Sequence, residues 1–204
     1  MTEDEAKTLL VQSLNFSSQD MNKLEKFKKL LLEYNSKYNL ISKTTEKSIW
    51  SRHILDSAQL IKYISTNKNG VMADFGSGAG FPGLIIAIFN KNPQFHVKLY
   101  EKSSVKRVFL NLVKNNLEID YEIKPNIYDD IICADIIVSR AFKKLEEIIK
   151  ISRETIKKPH KLIILKGKNA QAEINNVSLN ENYSYKLESS ITNSDSKIII
   201  FKVR

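Results

Sequence analysis

The sequence predicts an α/β protein with a doubly wound parallel sheet, a helical extension before it and an antiparallel strand pair at its end. Short apolar segments alternate with amphipathic ones from residue 70 onward, which is typical of strands alternating with helices. The first 62 residues have helical spacing and no strand pattern. Two segments with alternating polarity, 183–189 and 197–203, close the chain.

The N-terminal region is predicted to be helical. Ser17 and Ser18 are N-cap candidates for a helix whose apolar residues recur every three or four positions. These residues are Met21, Leu24, Phe27, Leu30, Leu31, Tyr34 and Tyr38. A second helix is predicted over 47–63. We expect both to pack on the sheet domain, so that residues 1–65 form a helical extension of a core over 66–204.

The core elements follow in alternation. Predicted strands cover 71–75, 97–101, 119–123, 135–139 and 162–166, and predicted helices cover 81–89, 105–117 and 143–157. Loops are predicted over 157–160 and 175–182. Continuous β-branched strands such as 135–139 indicate burial on both faces of a parallel sheet. Ligands of such sheets bind at the carboxyl ends of the strands.

Composition restricts the class of protein. The 204 residues are 42% hydrophobic and 27% charged, which excludes a disordered or fibrous chain. The net charge of +9 favours a polyanionic partner such as nucleic acid, but an AT-rich genome that inflates lysine explains it equally well. No apolar run is long enough for a bilayer, and the acidic N-terminus is unlike a signal peptide, so a cytoplasmic protein without membrane contact is expected.

A glycine-rich loop over 74–83, Asp-Phe-Gly-Ser-Gly-Ala-Gly-Phe-Pro-Gly, separates the first strand from its helix. Such a loop lets the backbone approach a ligand closely. Gly78, Gly80 and Gly83 formally fit the dinucleotide pattern GxGxxG. Asp74 would repel a pyrophosphate, however, and it suits a cationic ligand such as the amino group and sulfonium of S-adenosylmethionine. The phosphate-binding motif GxxxxGKS/T is absent from the sequence.

Glu101 ends the next strand, where an acidic side chain commonly binds both ribose hydroxyls of a nucleoside. This acid would serve NAD as well as S-adenosylmethionine, so it does not separate the two cofactors. No metal is predicted, because His53, His96, His160 and Cys133 are scattered without metal-ligand spacing.

The loop, together with four other segments, resembles the bacterial 16S ribosomal RNA guanine-N7 methyltransferases, also called glucose-inhibited division protein B. The other segments are Tyr38-Asn39-Leu40-Ile41-Ser42, Arg52-His53-Ile54-Leu55-Asp56-Ser57, Val138-Ser139-Arg140-Ala141-Phe142 and Leu165-Lys166-Gly167. The resemblance implies a Rossmann-like class I methyltransferase fold and S-adenosyl-L-methionine as cofactor. It implies 16S ribosomal RNA or the small ribosomal subunit as partner, and a monomer.

The resemblance also assigns roles to residues of the predicted cofactor site. Gly76 and Phe81 would line the methionine and sulfonium part, beside Asp74, Gly78 and Glu101. Backbone groups of Ile127 and Tyr128 would contact adenine, although Asn126 and Tyr128 replace the arginine and the acid of the family's adenine loop. Arg140 would lie where cofactor and target guanine meet.

Three further residues are candidates for contact with RNA. Arg52 and His53 lie on the second predicted helix, where guiding RNA and simple packing are equally good interpretations. Lys166 ends the fifth strand and is a candidate phosphate contact. The stretch 143–168 carries nine Lys and Arg against three Glu, and we hypothesise that it follows the phosphates as one basic strip.

Methylation at guanine N7 requires little from the protein. N7 has a free lone pair and no proton, so it attacks a sulfonium methyl directly and needs no general base. Ser139-Arg140-Ala141-Phe142 stands where exocyclic-amine methyltransferases carry an Asn/Asp-Pro-Pro-aromatic motif. Cys133 lies outside any nucleophile motif, is predicted to be buried or partly buried, and gives no support to pyrimidine C5 methylation. The alternatives are a methyltransferase with another RNA, protein or small-molecule acceptor, an NAD-binding oxidoreductase, and a non-catalytic ribosome-binding factor.

Overall fold

A computed structural model describes residues 1–129, 131–177 and 183–203. Its strands are β1 (Gly70–Phe75), β2 (Phe95–Tyr100), β3 (Glu122–Lys124), β4 (Ile136–Arg140), β5 (His160–Lys166), β6 (Tyr183–Ser189) and β7 (Lys197–Val203). They form one sheet in the order β3-β2-β1-β4-β5-β7-β6. Strands β1 to β5 are parallel, and β7 lies antiparallel between β5 and β6. The predicted α/β class and the closing antiparallel pair are therefore confirmed.

The α-helices of the described residues are α1 (Glu3–Gln12), α2 (Ser18–Tyr38), α3 (Asp56–Ala58), α4 (Gly83–Phe89), α5 (Ser104–Leu117), α6 (Leu145–Thr155) and α7 (Ala170–Asn175). Helix α2 begins as predicted, because the Ser17 hydroxyl accepts the backbone N–H of Asp20 while Asp20 accepts that of Ser17. Its buried face includes Leu24, Phe27 and Leu31.

The segment predicted as one helix over 47–63 is helical but is not one regular α-helix. The chain forms a 3-10 helix at Lys43–Ser48, a π-helical turn at Trp50–Leu55, the short α3 and a second 3-10 helix at Gln59–Tyr63. In the π-helical turn the N–H of Asp56 donates to the carbonyls of Ser51 and His53. That N–H therefore does not use the carbonyl of Arg52, its partner in a regular α-helix.

Several predicted boundaries also shift. The third strand covers Glu122–Lys124 and not 119–123, because Glu118 ends α5 in a left-handed conformation and the chain needs three residues to reach the sheet. In that connection Tyr121 is buried and its hydroxyl donates to the Leu110 carbonyl over 2.7 Å. Helix α7 lies just before the loop predicted over 175–182 and was not predicted. Residues 178–182 of that loop lie outside the described residues.

The core occupies both faces of the sheet. One face packs against α1, α2, the 43–63 segment, α4 and α5, and it includes Phe27, Trp50 and Phe109. The other face packs against α6 and α7, with Ile148 and Ile174 among its residues. Helix α2 packs its apolar side on α4 and α5, and α1 packs on the π-helical turn. Cys133 is exposed, contrary to the prediction. Within the described residues, no helix combines the length and the apolar character needed to span a membrane.

Candidate active site

A cleft of about 620 Å³ opens at the carboxyl ends of β1, β2 and β4. The glycine loop, the ends of the three strands and the segment after β3 form its walls, and Leu40, Ile41 and His53 from the N-terminal region close one side. This is the edge at which ligands of open α/β sheets bind. The structure brings together seven of the predicted site residues in its lining: Gly76, Gly78, Phe81, Glu101, Ile127, Tyr128 and Arg140. His53, an RNA candidate, lines the same cleft.

The glycine loop follows β1 and curves tightly around the cleft. Gly76 has a φ of +75°, and a methyl group on its Cα would lie 2.3 Å from Cδ2 of Phe142. Only glycine is tolerated there, for reasons of backbone conformation and of space. The Gly76 N–H donates to the Tyr100 carbonyl over 3.0 Å, which fixes the loop to the end of β2.

Glu101 holds the other side of the same loop. Its carboxylate is nearly buried, with 8% of the residue exposed. Oε2 accepts the Gly78 N–H over 2.8 Å and Oε1 accepts the Ser103 N–H over 2.7 Å. Each carboxylate oxygen has further lone-pair capacity, which is available to hydroxyl donors from the cleft.

Asp74 does not line the cleft, in contrast to its predicted contact with a cationic ligand. It is fully buried beneath the glycine loop, and its Oδ2 accepts the Gly83 N–H at the start of α4 over 2.8 Å. Its Oδ1 has no hydrogen-bond partner among the described residues. Burial raises the pKa of this carboxyl to about 7. The geometry therefore gives Asp74 a role in shaping the loop, and direct contact with the cofactor stays a prediction.

Arg140 lies at the end of β4 and reaches across the cleft to the 50–56 segment. Nη1 donates over 2.8 Å to the carbonyl of Arg52, which the Asp56 N–H does not use. Nη2 lies 2.8 Å from Nδ1 of His53, and Nη1 lies 3.6 Å from Oδ2 of Asp56. The guanidinium also stacks on Phe81, with its carbon 4.9 Å from the ring centre. Four interactions thus define its position.

His53 is neutral in this arrangement. Because a guanidinium can only donate, Nδ1 of His53 is the acceptor, and Nε2 carries the proton. Nε2–H donates to Thr45 Oγ1 over 2.8 Å, and the Thr45 hydroxyl itself donates to the Ser42 carbonyl. Burial and the charge of Arg140 lower the pKa of His53 to about 3. The imidazole is therefore a structural acceptor for Arg140.

The predicted adenine segment lies opposite. Ile127 is buried in the cleft wall. Asn126 orders the turn, since its Oδ1 accepts the Tyr128 N–H over 3.3 Å and its Nδ2 donates to Asp129 over 2.7 Å. The side chain of Tyr128 points outward at the rim, with 56% of the residue exposed.

Two of the predicted RNA contacts lie away from the lining. Arg52 has an exposed side chain and contributes its backbone carbonyl to Arg140. Lys166 is largely buried, with its Nζ 2.6 Å from the Lys143 carbonyl and 2.8 Å from Oε2 of Glu173. The same Glu173 oxygen accepts the Leu145 N–H at the start of α6 over 2.7 Å. Lys166 is thus committed to an internal contact, which gives no support to its predicted role at a phosphate.

Some residues of the site were missed at the sequence level. Asp56, Leu40 and Ile41 lie within segments that carry the family resemblance. The resemblance indicated that these segments matter, but it assigned no role to these three residues. Phe142 and Ala141 follow Arg140, and Ala141 has an unusual φ of +51° that no local pattern indicates. Lys102 and Lys106, which follow Glu101 in sequence, also line the cleft.

The residues fit a nucleoside with a methionine tail. The cradle at Gly76 and Gly78 admits a chain close to the backbone, and Glu101 offers acceptor oxygens to a ribose diol. Leu40, Ile41 and Ile127 supply apolar surface for a base or a thioether. No group of three or more potential metal ligands is found among the described residues.

Fold and site together define a class I, S-adenosylmethionine-dependent methyltransferase. Solved structures share the fold. A precorrin-6y C5,15-methyltransferase from Geobacter metallireducens GS-15 aligns with a TM-score of 0.55 at 13% identity, over 82% of this chain and 92% of that one. TYW2 of M. jannaschii in complex with AdoMet aligns with a TM-score of 0.51 at 14% identity, over 76% and 77%.

The chain belongs to the family described as rRNA small subunit methyltransferase G, whose model matches residues 20–199. "Ribosomal RNA small subunit methyltransferase G" of Orientia tsutsugamushi (strain Ikeda) is 39% identical over 192 residues, which is 93% of each chain. The protein of the same name from Pelagibacter ubique (strain HTCC1062) is 35% identical over 199 residues, or 95% of this chain and 93% of that one. Membership decides between the two cofactors that Glu101 left open, since this is a methyltransferase family.

Proposed function

We propose that this protein transfers a methyl group from S-adenosylmethionine to N7 of a guanine in 16S ribosomal RNA, by direct in-line attack. One observation favours an unprotonated ring nitrogen such as N7 as the acceptor. In the described part of the cleft, no side chain is available as a general base. N7 is a nucleophile that has no proton to lose, whereas an exocyclic amine or a hydroxyl must lose one.

The two candidate bases are both engaged. Each oxygen of Glu101 accepts a backbone N–H, and the residue is placed for ribose and not for an acceptor base. Nδ1 of His53 accepts from Arg140, and its lowered pKa of about 3 makes it a poor proton acceptor. The chemistry that this cleft supports is therefore positioning in a dry site, without proton transfer.

Bound S-adenosylmethionine would supply an electrophilic methyl group on a sulfonium. Glu101 would hold its ribose, Gly76 and Gly78 would let its tail pass along the loop, and Phe81 would pack beside the sulfonium. The backbone at Ile127 and Tyr128 would contact its adenine. Asp74 would act from below, by holding the Gly83 N–H and so the curvature of the loop.

Arg140 is placed to recognise the guanine. Among the described residues, its Nε and one N–H of Nη2 have no hydrogen-bond acceptor, and the residue lines the cleft. Guanine presents O6 beside N7, and arginine is a common donor to that edge. A donor on O6 alone would orient the base and leave the N7 lone pair free. The charge of Arg140 is balanced by Asp56, so the cluster does not oppose the cationic product.

The substrate guanine must be unpaired or in an opened helix, because the major groove of A-form RNA is too narrow for side chains. The rim offers Lys102, Lys106 and Tyr128 to flanking nucleotides. The stretch 143–168 does not form one basic strip. Lys161 and Lys166 lie at opposite ends of β5, and therefore at opposite edges of the sheet. Three basic side chains of this stretch form ion pairs: Lys143 with Glu147, Lys158 with Asp135, and Lys166 with Glu173.

The remaining expectations belong to the same proposal. Residues 1–65 would be an extension that closes the cleft of a core over 66–204, as the positions of Leu40 and His53 support. The protein would act as a monomer in the cytoplasm on the small subunit or its RNA.

The test uses S-adenosylmethionine labelled in the methyl group. The protein is incubated with small ribosomal subunits, and separately with their extracted RNA, from a bacterium that lacks the modification. We expect label in 7-methylguanosine after digestion to nucleosides. Label in another nucleoside, or none despite binding of the cofactor, would overturn the proposed acceptor.

A further inference from the structure

The turn between β6 and β7 contacts the N-terminal region beside the cleft. Strand β6 is parallel to β5, since both are antiparallel to β7, so residues 190–196 lie at the carboxyl edge of the sheet, as Arg140 does. The Thr192 hydroxyl donates to Oδ1 of Asp56 over 2.8 Å. Gln59 is buried between them, with Nε2 2.9 Å from the same Oδ1 and 2.9 Å from Oγ of Ser190. Its Oε1 accepts the Ile191 N–H over 3.0 Å.

This contact orients the carboxylate of Asp56. Donors from Thr192 and Gln59 occupy Oδ1, which leaves Oδ2 facing Nη1 of Arg140 at 3.6 Å. Both side chains of the ion pair are mostly shielded, with 16% of Arg140 and 15% of Asp56 exposed. A pair in this environment is weakly screened by solvent, and its geometry constrains both partners.

Resting on the proposed function for the role of Arg140, we propose that Asp56 is a positioning residue for that guanidinium. We further infer that Thr192, on the turn after β6, acts on the active site through Asp56. The N-terminal region and the turn after β6 would thus both act on the reacting base through Arg140. Asp56 would not touch RNA or cofactor. It would hold Arg140 so that its free N–H groups point at the guanine.

The alternative is a purely structural contact that ties the turn to the N-terminal region. A structural contact affects unfolding but leaves the folded cleft unchanged. A positioning contact changes kcat at saturating substrate, since small displacements of a catalytic geometry cost up to roughly 100-fold in rate. It also disturbs the hydrogen bond between Arg140 and Nδ1 of His53, which is observable without any activity.

The experiment compares Asp56→Asn and Thr192→Val with the wild type, and uses Thr192→Ser as a rescue that restores the hydroxyl. Asp195→Asn is the matched control, because Asp195 is an exposed carboxylate on the same turn whose side chain faces solvent. Each variant is measured for kcat and KM with the RNA substrate and for S-adenosylmethionine affinity by calorimetry. The ¹⁵N signals of the imidazoles are recorded, and the chain has only three His residues to assign.

We expect kcat to fall about 10- to 100-fold for Asp56→Asn and about 10-fold for Thr192→Val, with cofactor affinity unchanged. The Nδ1 signal of His53 should move toward that of a nitrogen without a hydrogen bond, while His96 and His160 stay fixed. Thr192→Ser and Asp195→Asn should match the wild type. Unchanged His53 signals in Thr192→Val, or in a folded Asp56→Asn, would overturn the inference. If the wild type methylates no RNA, the proposed function fails, and the imidazole signals still decide the positioning role.

Discussion

The backbone N–H of Gly78 donates a hydrogen bond of 2.8 Å to Oε2 of Glu101, so the loop after β1 is held by the acid that follows β2. The two features that most strongly indicated a cofactor site are therefore one structural unit. A ligand that binds Glu101 also meets a loop whose curvature Glu101 has fixed. Loss of this carboxylate should affect the cofactor twice, through the ribose contact and through the loop.

Glu101→Gln should weaken S-adenosylmethionine binding by about 10- to 100-fold. The NH₂ group of the amide would face the N–H of Gly78 or of Ser103, so one of these two hydrogen bonds would be lost. A charge-assisted hydrogen bond is worth about 1.5–3 kcal/mol. Calorimetry measures the affinity, and Glu33→Gln on the exposed side of α2 is the control. Wild-type affinity in Glu101→Gln would exclude the ribose role.

Gly76→Ala should be more destabilising than Gly78→Ala, although both glycines have positive φ. At Gly78 a new Cβ meets nothing closer than 3.9 Å, so the cost is conformational, about 1–2 kcal/mol. At Gly76 the Cβ would collide with Phe142, which adds about 1–3 kcal/mol. Urea unfolding gives both values.

A double variant separates the two costs at Gly76. In a Phe142→Ala background, Gly76→Ala should lower the free energy of unfolding only by the conformational cost, because the colliding ring is gone. If the two substitutions are additive, the steric account of this glycine is incorrect.

His53 and Asp74 should change stability with pH in opposite directions. The pKa of His53 is lowered to about 3 by burial and by Arg140, so the folded state binds fewer protons than the unfolded state between about pH 3 and pH 6.5. Its stabilising contribution is complete above pH 6.5 and is lost as the pH falls toward 3, by at most about 1.4 kcal/mol per pH unit. His53→Gln, which keeps an acceptor for Arg140, should lack this dependence.

Asp74 has the opposite sign. Burial raises its pKa from 3.8 to about 7, so the folded state binds more protons in this interval, and stability is lost as the pH rises. The amide oxygen of Asp74→Asn still accepts from Gly83. The free energy of unfolding of this variant should therefore rise relative to that of the wild type between pH 4 and pH 7. Denaturant titrations of wild type and both variants across this range measure the differences. Parallel curves for all three proteins would contradict both assignments.

The sequence was informative where function depends on strand ends and poor where it depends on distant contacts. Alternation of strands and helices placed the glycine loop and Glu101 at one edge of the sheet, the family resemblance added Gly76 and Arg140, and the structure brings all three residues together in one cleft. The role of His53 depends on a hydrogen bond to a residue 87 positions away, which no local pattern contains. The sequence predicted Asp74 in the cleft, whereas its side chain lies beneath the glycine loop. Its direction depends on the position of α4, where the Gly83 N–H donates to its carboxylate, and the local sequence does not contain that information.

Lys166→Gln should lower the free energy of unfolding by about 1–2 kcal/mol and leave RNA affinity unchanged. The substitution removes the cation from Glu173, which also caps α6 through the Leu145 N–H. Lys168→Gln, on an exposed neighbour, is the control for stability. RNA binding is measured at several salt concentrations. If Lys166→Gln lowers the slope of log affinity against log salt by about 0.7–0.9 with stability intact, Lys166 is a phosphate contact after all.

Tyr128→Ala should weaken RNA binding by about 5- to 100-fold while S-adenosylmethionine affinity stays the same. The ring is exposed at the rim of the cleft, and the adenine contact expected at this residue uses the backbone, which Asn126 holds independently. An exposed aromatic ring beside a nucleotide site is a stacking platform for a base, worth about 1–3 kcal/mol. Tyr128→Phe should keep the affinity, because stacking needs the ring and not the hydroxyl. A fall in cofactor affinity with unchanged RNA binding would instead place the ring against adenine, and the flanking base would have to stack elsewhere.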